Sequence, residues 1–212
     1  MPVVALQGHP FHPFYPLYPF YRGSPMTYDW LALQKQAAEE FGARVDLITD
    51  WAAATPDTEW TVTELVRHVV LEQQWVPALL RGLSVLDARR SLTPLGPDLA
   101  KEWATHSALA AAAWATTPAD APVTLSYDTV TASDYLREQV SDVTIHSWDL
   151  ARATAADESL DPALIEAVWT VFEPQRDTLE ASGLFASPVP SDENAPLQIR
   201  LLALTGRDPR RP

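Results

Sequence analysis

Asp142 and His146 stand four residues apart in the run Ser141-Asp142-Val143-Thr144-Ile145-His146-Ser147-Trp148-Asp149-Leu150-Ala151-Arg152-Ala153. The run holds no glycine or proline and reads as helix. At 3.6 residues per turn the carboxylate and the imidazole then leave the same face, one above the other. Such a pair is half of a metal site, or an acid and a base set to exchange a proton. Val143, Ile145 and Leu150 keep the neighbouring surface apolar, so this face is expected to point inward. A buried histidine and aspartate are costly unless something satisfies them, and a divalent cation with a third ligand from another helix would do so.

The third ligand expected is His68, in Trp60-Thr61-Val62-Thr63-Glu64-Leu65-Val66-Arg67-His68-Val69-Val70. Thr61 followed three residues later by Glu64 is a capping-box signal, which starts a helix and places His68 two turns inside it. Leu65 and Val69 put the imidazole on or beside the buried stripe. His68, Asp142 and His146 make a set of two histidines and one carboxylate, which leaves a coordination position open, as in catalytic rather than structural zinc sites. The same donor types also suit iron(II), so Fe2+ or Ni2+ stays open beside Zn2+. Glu72, one turn beyond His68, is a fourth ligand, a general base, or an ion-pair partner of Arg67 or Lys101. Asp149 either orients His146 as an acceptor or pairs with Arg152. His106, near Trp103, is a weaker candidate ligand, and Trp148 reads as a core wedge. A metal-dependent hydrolase, with water at the open position and Glu72 as base, is one functional class these residues allow. A non-enzymatic, metal-stabilised binding or dimerisation module is another.

Composition narrows the field. The chain has 212 residues, 47% hydrophobic and 20% charged, which suits a soluble globular domain with a small appendage. A formal charge of −13 and the absence of any basic cluster argue against nucleic acid as a partner. There is no cysteine, so any thiol chemistry must use a thiol brought in from outside. No apolar run approaches the roughly 18 residues of a membrane span, and no secretion signal is visible, so cytoplasmic residence is expected.

The elements that must carry these residues are helical. Residues 1–25 alternate Pro, Phe, Tyr and His and are expected to form a disordered Pro/aromatic-rich extension, with Met26 an alternative start. The spacing of Leu33, Ala37, Phe41, Val45, Ile48 and Trp51 predicts a first helix from Asp29 to about Ala54. The His68 helix should run to about Arg81-Gly82, and a third from Asp98 to about Ala115. Residues 123–130 have β-branched character and predict a short extended excursion. A fourth helix, opened by Thr131 or Ser133, carries the Asp142 motif to about Ala155. A fifth follows Asp161-Pro162 to about Glu180 with a stop near Gly183, and a Pro-rich strap leads to a short helix over residues 197–204. Four principal helices with modest connections indicate an all-α, antiparallel four-helix bundle with extra C-terminal helices.

Three stretches together resemble the DinB/YfiT-like superfamily, in its actinobacterial metal-binding branch related to mycothiol-dependent maleylpyruvate isomerase. They are Trp60 to Val70, Asp142 to Ala153 with its His146-x-Trp148-Asp149-Leu150-Ala151-Arg152-Ala153, and the tail from Pro188-Val189-Pro190 through Leu201-Leu202-Ala203-Leu204-Thr205-Gly206-Arg207-Asp208-Pro209. The resemblance covers about residues 26–209, a single metal-binding bundle, and implies zinc on His68, Asp142 and His146. It also implies a mycothiol-like low-molecular-weight thiol as cosubstrate, an electrophilic small molecule as substrate, transferase or isomerase chemistry, and a homodimer. Asp142 is shorter than the glutamate expected at that position in the isomerase itself, and Ala155-Ala156 stands where a glycine commonly follows.

Overall fold

A computed structural model describes residues 28–57, 60–177 and 186–208. The expected N-terminal extension, the end of the fifth helix and its stop at Gly183 lie outside the described residues. Four helices form the bundle: α1 (Trp30–Val45), α2 (Val62–Leu80), α4 (Leu99–Thr116) and α5 (Ala132–Ala153). A short α3 (Val85–Ser91) lies between α2 and α4, and α6 (Pro162–Phe172) and α7 (Leu197–Leu204) follow α5. The most extensive packing is of α1 on α5 and of α2 on α4, with α2 also meeting α5 and α6 lying between α5 and α7. None of the described helices is long and apolar enough to cross a membrane.

Each long helix starts where a side chain can satisfy its first free N–H groups. Asp29 accepts from Ala32 N–H on α1, and Asp98 from Lys101 N–H on α4. Thr61 and Glu64 form the full reciprocal capping box on α2, and Thr131 caps α5 through Asp134 N–H. The extended excursion is a two-stranded antiparallel hairpin, β1 (Pro122–Thr124) with β2 (Thr129–Thr131), in the register Val123 opposite Val130.

The first helix is shorter than its apolar spacing predicts. Beyond Val45 the chain leaves α1, Asp50 takes the Ala52 N–H in a local turn, and Ala54 bridges to Thr61 instead. Ile48 and Trp51 still pack on the core, so their helical spacing comes from a loop laid against the bundle. After Phe172 α6 passes through a 3-10 turn over Glu173–Gln175, where Pro174 has no N–H to continue the ladder, and residues 176–177 are helical again.

The core runs through all the long helices and includes Phe41, Leu65, Val69, Leu79, Tyr135, Ile145, Trp148 and Leu150, each at most 1% exposed. Phe41 and Trp103 meet at 4.6 Å between ring centroids, and a Cβ on Gly42 would come within 3.0 Å of the Trp103 indole nitrogen. α5 is the central helix and is buried nearly all round from Tyr135 to Ala151. It nevertheless carries many polar side chains, which require partners in the interior. Thr144 and Ser147 return their hydroxyls to the carbonyls of Val140 and Val143, at 2.7 and 2.8 Å. Gln139 accepts from Gln73 of α2 at 3.0 Å. Other polar groups on these two helices include Glu138, Asp142, His146 and Asp149 on α5 and His68 and Glu72 on α2.

Candidate metal centre

Spacing along two helices builds this seam. On α5, Glu138, Asp142 and His146 follow each other at four-residue intervals, and on α2 His68 and Glu72 do the same. Where α2 meets α5, one ligand atom each of His68, Asp142 and His146 lies within 4.8 Å of the others. Asp142 Oδ1 is 3.7 Å from His68 Nε2 and 3.4 Å from His146 Nε2. In a tetrahedral zinc site with bonds of ~2.0 Å, ligand atoms stand ~3.3 Å apart, so both spacings fall within about 0.4 Å of that edge.

Two further observations fit a divalent cation. Asp142 Oδ2 is buried and has no hydrogen-bond partner among the described residues, which leaves half of this carboxylate unsatisfied. The donor set itself, two imidazoles and a carboxylate, is the one that leaves a coordination position open. Exposure locates the open side: the His68 and Asp142 side chains are each 25% exposed and His146 is 7% exposed. The Trp60 ring flanks both imidazoles, at 4.7 Å from His68 and 5.7 Å from His146 between centroids.

His146 is held from behind. Its Nδ1 lies 3.0 Å from Asp149 Oδ2. Burial alone would raise the Asp149 pKa, but the Arg207 charge and hydrogen bonds from His146 and Arg207 bring it down to about 2. An ionised carboxylate only accepts, so Nδ1 is the donor and Nε2 faces Asp142 and His68. Arg207 donates from Nε and Nη2 to the two Asp149 oxygens, at 3.1 and 2.8 Å. Burial would depress the His146 pKa, yet the charge of Asp142 and the hydrogen bonds His146 donates to both aspartates raise it to about 9. Asp142 in turn is pulled well below the usual carboxylate range against its own burial, by His146 first and then His68.

Glu72 lies on the same face as His68, buried, with Gln139 hydrogen-bonded to it. Burial pushes its pKa up to about 7, opposed by the His68 charge and reinforced by Asp142. On the neighbouring turn of α5 Glu138 accepts a hydrogen bond from the Tyr127 hydroxyl, and burial raises its pKa to about 8. The other candidates lie outside the cluster. His106 is bound by Glu102 and Gln74, each at 3.2 Å. Arg152 pairs with Glu158 at 3.0 Å and lies over Trp148, while Arg137 pairs with Asp134. Asp149 therefore bonds to His146 and Arg207 rather than to Arg152.

Sequence reasoning did not pick out Trp60, Glu138 or Arg207 as parts of this centre. Glu138 carried a usable signal, being one turn before Asp142. Trp60 and Arg207 have no such spacing to mark them, and Arg207 meets Asp149 across 58 residues, which no local pattern reveals.

An uncharacterised protein of Mycobacterium tuberculosis, found in strains H37Rv and CDC 1551, is 29% identical over 74% of this chain and 84% of its own length. Two crystal structures of mycothiol-dependent maleylpyruvate isomerase share the helical fold. A histidine-to-alanine variant superposes with a TM-score of 0.58 at 17% identity, and the isomerase itself with 0.52 at 19%. Each comparison covers 78% of this chain and 75% of the isomerase chain. The family model for the mycothiol maleylpyruvate isomerase N-terminal domain matches residues 31–151, a stretch that includes His68, Asp142 and His146. That match spans more than half of the chain, and the protein belongs to the mycothiol maleylpyruvate isomerase N-terminal domain family.

Proposed function

We propose that this protein binds a divalent cation, zinc in the first instance, through His68, Asp142 and His146, and uses it with a mycothiol-like low-molecular-weight thiol in a transferase or isomerase reaction. The convergence of the three ligand atoms at a partly exposed edge of the α2–α5 seam carries this reading. Family membership supports the thiol, and the lack of any cysteine means that the sulfur must come from the small molecule. A bound divalent cation lowers the pKa of a thiol that coordinates it and so supplies thiolate near neutral pH.

The protein's own residues have separable tasks. Glu72, with its pKa near 7, is the group suited to take the thiol proton and return it later to a carbon or oxygen of the substrate. Asp149 orients His146. Trp60 shields both imidazoles from water on one flank and leaves the His68–Asp142 edge as the approach for thiol and electrophile. That open edge favours a reactive site over a closed structural one.

Elemental analysis of the full-length chain, purified without chelator, tests the reading. We expect a stoichiometric divalent cation in the native protein and none in His68→Ala or His146→Ala. After cobalt(II) replacement, titration with a small thiol should change the visible spectrum. Absence of metal in the native protein, or its retention in both variants, would sink the metal site. An unchanged cobalt spectrum would remove the thiol from it.

A further inference from the structure

Arg207 comes three residues after the end of α7, in a turn with strict requirements. Its N–H donates to the Leu202 carbonyl at 2.8 Å and the Gly206 N–H to Ala203 at 3.1 Å, the two bonds of a Schellman cap. Gly206 has φ +80°, and a Cβ there would lie 2.5 Å from the Ala186 carbonyl oxygen, so glycine is required on both counts. The cap turns Arg207 inward until it is only 7% exposed.

Inside, the guanidinium is engaged on every side. It grips both oxygens of Asp149, donates from Nη1 to the Thr205 carbonyl at 2.8 Å, and lies 3.9 Å from Asp57, three residues before Trp60 in the sequence. A buried ion pair contributes little net stability compared with apolar residues of the same volume. Its planar fork does contribute geometry, because two parallel hydrogen bonds fix the carboxylate plane. Asp149, itself 0% exposed, then has one direction in which to accept the Nδ1–H of His146.

We propose that Arg207 is a positioning residue for the metal centre: by clamping Asp149 it aims His146 Nε2 at the cation, so the C-terminal segment sets metal affinity. This rests on the metal reading above. Partners of this kind behind a metal-bound histidine are worth roughly ten- to a hundredfold in affinity.

The test compares zinc affinity, by competition with a chromogenic chelator, in the native full-length chain and in Arg207→Lys, which keeps the charge but loses the fork. We expect zinc to bind roughly ten- to a hundredfold more weakly in the variant. In the zinc-loaded native protein, NMR should show a slowly exchanging His146 Nδ1–H that exchanges quickly in Arg207→Lys. A second variant, Asp149→Leu with Arg207→Met, removes both buried charges together and so guards against misfolding. It should still fold cooperatively, though less stably because the buried His146 Nδ1–H loses its acceptor, and show weakened zinc binding. Native affinity in either folded variant, with the Nδ1–H unchanged in Arg207→Lys, would overturn the proposal while leaving the metal site intact. A native protein that takes up no zinc would instead overturn the metal reading itself.

Discussion

Glu138 accepts a hydrogen bond from Tyr127 while 4% exposed, and burial holds its pKa near 8, helped by the nearby charges of Asp134 and Glu72. Because the folded-state value lies above the ordinary 4.5, the folded protein holds this proton at pH values where the unfolded chain has released it. The associated stability is fully present below about pH 4.5 and is lost as pH rises towards 8. Glu138→Gln keeps an acceptor for Tyr127 and removes the titration. We predict that the native protein loses on the order of a few kcal/mol more stability than Glu138→Gln between pH 5 and pH 8.5. Urea unfolding of both proteins at the two pH values measures this, and parallel losses would refute it. Residues of the centre were legible in the sequence where helical spacing is itself the signal: Asp142 with His146, and His68 with Glu72. Arg207 was not, because its partner is set by how the tail folds back and not by any periodicity.

At the scale of single elements, α2 must begin in the right place for His68 to face α5. Thr61 and Glu64 fix that start through their reciprocal bonds, and the Thr63 hydroxyl ties it to the Trp51 carbonyl at 2.7 Å. Thr61→Ala removes the acceptor for the Glu64 N–H and weakens the hold on Trp60, which precedes it. We expect a loss of about 1 kcal/mol in urea unfolding. Thr61→Ser should restore most of it, and a neutral Thr61→Ala would show that tertiary packing alone sets the register. Helix starts were readable because caps are local chemistry, as at Thr61, Asp98 and Asp161. Helix ends were less so. Ile48 and Trp51 keep the helical interval while belonging to a loop on the core, and the seven-residue α3 is too short to show a period.

On the scale of the whole molecule, the bundle is two strong pairs, α1 with α5 and α2 with α4, joined across thinner α1–α4 and α2–α5 seams, the second of which holds the three candidate ligands. The four-helix architecture was legible because it depends on long amphipathic segments and short connections. The α2–α5 seam was legible only in the expectation that His68 joins Asp142 and His146, because which faces of two helices meet is decided by packing of the entire core. A cation bound at that seam links one pair to the other and binds the folded chain only, so it must stabilise the whole fold. With free zinc at about a hundred times its dissociation constant the gain is ~2.7 kcal/mol, which for a domain of this size raises the unfolding midpoint by roughly 5–10 °C. Scanning calorimetry with zinc and with a strong chelator should show that difference, growing with the logarithm of free zinc. His146→Ala should unfold at one temperature in both conditions. If zinc shifts native and variant midpoints alike, the stabilising ion binds elsewhere, and the α2–α5 seam is held by its own ion pairs and hydrogen bonds.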